Sequence, residues 1–189
     1  MNVCVLVGSL RKASFSGMLA NALMSLAPSS MKPEVVEIGQ LPFYNQDLER
    51  LFDPPPAPWT AFRQRVKAAD AVLFVTPEYN RSVPAVLKNA LDVGSRPYGS
   101  SVWDRKPGAV VSSSPGAIGA FGANHHLRQS LVFLNVPTMQ QPEAYLSHVD
   151  KLFDEHGQVV SDGTRKFLQD LMQAFANWVE TIRSEGHRI

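Results

Sequence analysis

Cysteine is almost missing from this sequence: Cys4 is the only one in 189 residues. One thiol cannot close an internal disulfide, so a disulfide framework is excluded and a reducing compartment is compatible. Cys4 sits in the apolar run Val3-Cys4-Val5-Leu6-Val7, where a thiol reads as a buried, inert strand residue and not as a nucleophile. An excess of charge of one sign is missing too. Lys and Arg number 18 against 17 for Asp and Glu, a net +1, which speaks against a general nucleic-acid binder. No apolar stretch approaches membrane-spanning length, so no membrane association is expected. Gly8 cuts the first apolar run short, and no basic segment leads into a long apolar one. A signal peptide is therefore not expected, and the expected location is the cytoplasm. Several nucleotide and hydrolase motifs are absent as well. Gly8 opens no Walker A loop. Gly116, Gly119 and Gly122 are spaced G-x-x-G-x-x-G, not as the dinucleotide G-x-G-x-x-G, and no G-x-S-x-G elbow exists for a serine hydrolase.

What is present reads as an ordinary globular protein. Hydrophobic residues make up 44% and charged residues 19%, outside the disordered range. The length suits one domain over residues 1–189. Short apolar runs that end in glycine, threonine or serine read as strands buried on both faces: 3–7, 71–75 and 108–111. Glu34 to Ile38 is a second strand by this reading, and Val136 to Met139 a fifth, at an edge where Pro137 is tolerable. Between them lie helical spacings: Met18 to Leu26, Phe62 to Ala69, Pro84 to Val93, about 120–134, and a long amphipathic stripe from Phe167 to Ile182. The segment 39–58, with Pro54, Pro55, Pro56 and Pro58, is expected to be an irregular loop inside the domain. Alternation of this kind predicts an α/β fold, a five-stranded parallel sheet with helices on both faces.

In such sheets ligands bind beyond the carboxyl ends of the strands, and the three loops there have unusual compositions. The first, Gly8 to Ser16, offers three serines, Arg11 and free N–H groups at a helix N-terminus, which suits one phosphate. The second, Thr76 to Pro84, is framed by prolines and carries Glu78, Tyr79, Asn80 and Arg81. A stiff loop of this sort suits the edge of a flat heteroaromatic ring. The third, Ser112-Ser113-Ser114-Pro115-Gly116, could donate backbone N–H groups to a ring that gains negative charge. Read singly, each is also an ordinary polar turn.

Together these loops resemble the NADPH-dependent FMN reductase family of flavodoxin-like proteins, including its quinone- and chromate-reducing members. The residues that carry the resemblance are Gly8-Ser9-Leu10-Arg11-Lys12 with Ser14, Pro77-Glu78-Tyr79-Asn80 with Pro84, Leu87-Lys88-Asn89-Ala90 with Asp92, and His126-Leu127-Arg128-Gln129 before Leu131 and Phe133. It extends over nearly the whole chain. It implies that Ser9, Arg11 and Ser16, with backbone near Ser14 and Phe15, hold the FMN phosphate. It implies that Pro77 and Glu78 to Arg81 line the isoalloxazine ring chiefly through backbone, and that Ser113, Ser114 and Gly116 complete the ring site. Two positions depart from the family pattern. Ser16 stands where many relatives carry asparagine, and Arg81 where close relatives often carry an aromatic residue.

The activity expected is transfer of electrons from NADPH or NADH through bound FMN to a quinone, free flavin, chromate or similar small-molecule acceptor. Nicotinamide and acceptor are expected to use one ring face in turn. No side chain is expected to act as an essential acid, base or nucleophile, because the cofactor carries the chemistry. The resemblance also implies a homodimer or homotetramer. The alternative is a non-catalytic electron carrier like flavodoxin; carriers of that type tend to be strongly acidic, which +1 does not match. His125-His126 is not expected to hold a metal, since neighbours on a helix point about 100° apart.

Overall fold

The valine-rich runs pair into one parallel sheet with helices on both sides. The computed structural model describes residues 1–51 and 55–185. In chain order the elements are β1 (Asn2–Val7), α1 (Phe15–Ser25), β2 (Lys32–Val35), α2 (Gln46–Leu51), α3 (Ala57–Ala68), β3 (Ala71–Thr76), α4 (Ala85–Gly94), β4 (Gly108–Ser113), α5 (Phe121–Phe133), β5 (Tyr145–Leu146) and α6 (Asp162–Glu185). The strand order is β2-β1-β3-β4-β5, with each pairing parallel. This is the flavodoxin-like order. Its reversal point lies between β1 and β3, where a crevice opens beyond the strand ends.

Alternation along the strands divides the core into two layers. Val3, Val5, Leu73, Val75, Ala109 and Val111 face α1 and α6 and meet Leu19, Leu23, Leu171, Phe175 and Val179. Cys4, Leu6, Val72, Phe74 and Val110 face α3, α4 and α5 and meet Trp59, Phe62, Leu87, Leu91, Trp103 and Leu127. Both faces of β1, β3 and β4 are therefore covered, which is why these strands read as continuous apolar runs. Each large side chain buried here contributes about 1.5–3 kcal/mol. Cys4 lies in the second layer, where burial pushes its thiol pKa up.

Three expectations need correction. The edge strand is not Val136–Met139. That segment makes one parallel bridge, Thr138 to Gly108, with Met139 N–H donating to the Gly108 carbonyl at 2.8 Å. The pairing strand is Tyr145–Leu146, against Ser112 and Ser113. Pro137 and Pro142 have no N–H to give a ladder, so the edge is split in two. Second, β2 begins two residues early, at Lys32, because its register starts opposite Asn2. Pro33 is tolerated on this edge strand. Third, the segment 39–58 is not wholly irregular. It contains α2, and Pro58 sits in the first turn of α3, where proline lacks a partner to lose. Pro54 lies outside the described residues.

The long loop is held by side chains. Asn89 donates to the Leu41 and Pro42 carbonyls, both at 3.2 Å, and accepts from Tyr44 N–H at 2.8 Å. Trp59 Nε1 donates to the Pro42 carbonyl at 2.8 Å. Glu49 on α2 pairs with Arg63 at 2.8 Å and with Arg96 at 3.5 Å.

Candidate functional site

The crevice is built from the turns after β1, β3 and β4. Gly8 ends β1 with its N–H on the Val75 carbonyl at 2.8 Å. A Cβ there would meet Pro77 Cδ and Thr76 Oγ1, each at 3.1 Å, tight enough that a larger residue would push the first two turns apart by a few tenths of an ångström. Ser9 Oγ lies 3.4 Å from the Tyr79 hydroxyl, a second link between them. Ser14 is the N-cap of α1. Its backbone is extended and its Oγ accepts from Gly17 N–H at 3.0 Å. Phe15 and Ser16 occupy the first two helical positions, where N–H groups have no intrahelical carbonyl to reach. Arg11 donates from Nη2 to the Ala13 carbonyl at 2.9 Å and lies 5.6 Å from the Phe15 ring centroid. Ser9, Arg11, Lys12 and Ser14 also line a cleft of about 340 Å3 that reaches toward Val35 and Ile38. The Ser16 side chain is buried.

The second turn is a two-residue hairpin. Tyr79 and Ser82 exchange backbone hydrogen bonds of 3.1 and 3.0 Å. Asn80 and Arg81 between them both have positive φ, 51° and 65°. Asparagine suits such a turn. Arginine there costs about 1–2 kcal/mol, strain of a kind that gathers at ligand sites. The Glu78 carboxylate does not point outward. Its Oε2 accepts from Ala123 N–H at 2.9 Å, and Oε1 lies 3.5 Å from Arg81 Nη1. α5 begins after Ala120, which is left-handed and offers no capping side chain. Glu78 thus caps α5 from a distant turn, and its charge faces the positive end of that helix. Gly122 makes room for it; a Cβ would meet Glu78 Oε2 at 2.8 Å and the Arg81 carbonyl at 3.0 Å.

The third turn is pinned by Ser112, whose Oγ donates to the Gly119 carbonyl at 2.8 Å and accepts from Asn124 Nδ2 at 3.1 Å. Ser114 N–H donates to the Leu146 carbonyl at 3.1 Å, and Ser114 Oγ to the Gly116 carbonyl at 3.3 Å. Pro115 to Ile118 are exposed. Ser113 Oγ is the side-chain oxygen buried without a hydrogen-bond partner among the described residues. Leu10, Tyr79, Ile118 and Phe121 put exposed apolar surface around the same rim. Sequence reasoning passed over Phe121 and Tyr145, which gather with His125 beside this turn; Tyr145 falls in a stretch without periodicity. The two histidines diverge, with His125 Nε2 2.9 Å from the Tyr145 hydroxyl and His126 Nδ1 3.0 Å from Ser82 Oγ.

These features fit a flat, singly phosphorylated ring cofactor: open helix N–H groups, a glycine cradle, a strained turn and an orphaned buried hydroxyl at one strand-end crevice. Fold and site together define a flavodoxin-like flavoprotein. Comparison with known proteins carries this further. Residues 1–151 match the family described as NADPH-dependent FMN reductase. A quinone reductase of Pseudomonas putida is 58% identical over 183 residues, with 97% of each chain covered. A 2-hydroxy-1,4-benzoquinone reductase of a Burkholderia species is 49% identical, covering 97% of this chain and 98% of the other. The solved structure of FerB, a flavoenzyme NAD(P)H:(acceptor) oxidoreductase from Paracoccus denitrificans, superposes with a TM-score of 0.89 at 40% identity, covering 95% and 97%. The chain belongs to the NADPH-dependent FMN reductase family and is an oxidoreductase of that family.

Proposed function

We propose that this chain is an FMN-dependent NAD(P)H:quinone reductase. The observation that carries the reading is the convergence of three turns at the β1/β3 reversal point, locked together at Gly8 and at Glu78. Ser9, Arg11, Ser14, Phe15 and Ser16 hold the phosphate of FMN, using the open N–H groups of α1 and the guanidinium. Pro77, Glu78, Tyr79, Asn80 and Arg81 back the ring with their main chain. Ser113, Ser114 and Gly116 border its pyrimidine side. Bound there, FMN supplies hydride exchange with nicotinamide and onward two-electron reduction of the acceptor. The protein orients both ligands and leaves one face open, so the oxidised nicotinamide departs before the acceptor enters.

The test is a steady-state matrix of NADPH or NADH against 1,4-benzoquinone. Parallel double-reciprocal lines are expected, and NADPH alone under anaerobic conditions should bleach the yellow protein. Intersecting lines would show both ligands bound together. No turnover with any quinone would refute the assignment.

We further propose that residues 1–189 act as one domain, since α6 packs into the core that β1, β3 and β4 build. The proposed location is the cytoplasm, where nicotinamide dinucleotides are supplied. A homodimer or homotetramer is also proposed. Val132, Phe133 and Tyr98 are 77%, 90% and 91% exposed. Phe133 borders a cleft of about 590 Å3 lined by Lys88, Leu91, Asp92, His126 and Gln129. A knob beside a hole on one surface is the self-complementary form a two-fold contact needs. Phe133→Asp should lower the mass measured by sedimentation.

A further inference from the structure

The rim of the crevice carries an aromatic cluster that neither the phosphate turn nor the ring turns use. The Phe121 ring lies 4.1 Å from the His125 imidazole and 5.2 Å from the Tyr145 ring, and His125 stacks on Tyr145 at 5.9 Å and 21°. Polar contacts fix the arrangement. The Tyr145 hydroxyl donates to Glu143 Oε1 at 3.0 Å. Its one proton is then committed, so its oxygen accepts from His125 Nε2–H at 2.9 Å. A phenol is protonated at neutral pH in any case, and burial and the Glu143 carboxylate raise the Tyr145 pKa further.

The cluster is also joined to the cofactor turns. Gly119 is left-handed, and a Cβ there would meet the Tyr145 carbonyl carbon at 2.5 Å, so the third turn rests directly on β5. On the other side of Phe121, Gly122 rests on Glu78 and the Arg81 carbonyl. The start of α5 is wedged between the two ring turns and the sheet edge, and Phe121 stands at that wedge about half exposed.

We propose that Phe121, His125 and Tyr145 form the wall that positions a planar aromatic acceptor at the cofactor crevice and selects quinones over oxyanions. The inference rests on the quinone reductase reading above. Aromatic rings favour offset or edge-to-face contact with another flat ring. The Glu143 carboxylate at the foot of the wall repels a doubly charged acceptor such as chromate. Glu143, through Tyr145, holds the imidazole in place, so Glu143 and Tyr145 are positioning residues and Phe121 supplies the contact.

Two measurements on the FMN-loaded enzyme test this. The first is equilibrium binding of 1,4-naphthoquinone to the oxidised protein, read from perturbation of the flavin absorbance without turnover. The second is kcat/KM for 1,4-naphthoquinone relative to chromate. Phe121→Ala should weaken naphthoquinone binding roughly 3- to 10-fold, raise its KM by the same factor with kcat held, and leave the KM for chromate in place. Phe121→Leu, which keeps apolar area without a ring, should fall on the side of alanine. Glu143→Gln should lower the KM for chromate. Unchanged naphthoquinone affinity and an unchanged acceptor ratio in Phe121→Ala would overturn the proposal. So would a change in sedimenting mass with unchanged affinity, which would make the cluster a contact between copies. Failure of the wild type to turn over quinones, with naphthoquinone still bound and weakened by Phe121→Ala, would refute the quinone reductase reading and keep the wall.

Discussion

Replacing Glu78 separates two roles that a glance at the crevice would merge. Its side chain is 10% exposed and accepts the Ala123 N–H at the start of α5. α5 has no acidic residue in its first turn and no capping side chain of its own. Glu78→Ala therefore removes a hydrogen bond to a charged acceptor, about 1.5–3 kcal/mol. At about 2–4 °C per kcal/mol for a chain of this size, a loss near 2 kcal/mol lowers Tm by roughly 4–8 °C. Glu78→Gln keeps an acceptor oxygen and loses only the attraction to the helix end, about 0.3–1 kcal/mol. The ion pair with Arg81 adds little, because Arg81 is largely exposed. The assay is thermal melting of the flavin-free protein, followed by FMN titration of each variant. Apo stability should fall in the order wild type, Gln, Ala. FMN affinity should fall with it, since the cap holds the two ring turns at a fixed separation. Equal apo stability in wild type and Glu78→Ala would refute the capping argument. A loss of FMN affinity with no loss of apo stability would instead make Glu78 a direct cofactor contact.

Three further outcomes are expected. Arg11→Ala should weaken FMN roughly 10- to 150-fold through loss of a charge-assisted hydrogen bond, with little change in apo stability because the side chain is exposed; unchanged affinity in a fluorescence titration would remove Arg11 from the site. Cys4→Ser should lower stability by placing a hydroxyl in a buried layer while folded protein keeps its FMN content and turnover; loss of turnover at full flavin loading would restore a redox role to the thiol. Lys106 donates to the Ala69 carbonyl, and burial lowers its pKa below 10.5. A depressed base costs stability while both states are charged, and that cost fades as pH rises through the folded pKa toward 10.5. Wild type should therefore gain on Lys106→Met in denaturant melts as pH rises from neutral to about 10; a constant difference would contradict the shift.

The parts of the fold that sequence displayed are those whose signal is local. β1, β3 and β4 are buried on both faces, so their apolar runs had no competing reading; Gly8 marked the end of β1, while β4 runs two residues past its apolar run, to Ser113. The parts it hid depend on distant partners. Tyr145–Leu146 is two residues long and is a strand only because Ser112 and Ser113 lie beside it. Val136–Met139 was the more apolar segment, but Pro137 left it with a single bridge. α2 is short and is held by Glu49 against Arg63 and Arg96, an ion cluster with no sequence period. The site divides the same way. The strand-end turns, the capping serine Ser14 and the proline frame were legible as local structure at one crevice, and their assignment to phosphate and ring is the proposal above. That the Glu78 carboxylate faces α5 was not legible, since a carboxylate in a turn looks the same whether it meets ligand or helix.

The tight approach at Gly8 has one more consequence. If the first turn holds the phosphate as proposed, its close packing on Thr76 and Pro77 makes the two halves of the crevice a bidentate receptor of set span. A ligand that carries phosphate and ring on one ribityl tether meets its second half at an effective concentration in the range of mM or higher. Riboflavin with free inorganic phosphate presents the same two groups without the tether. It should therefore bind far more weakly than FMN, even with phosphate in large excess. Widening the approach by Gly8→Ala would detune the span, and FMN should lose its advantage over riboflavin before riboflavin binding itself declines.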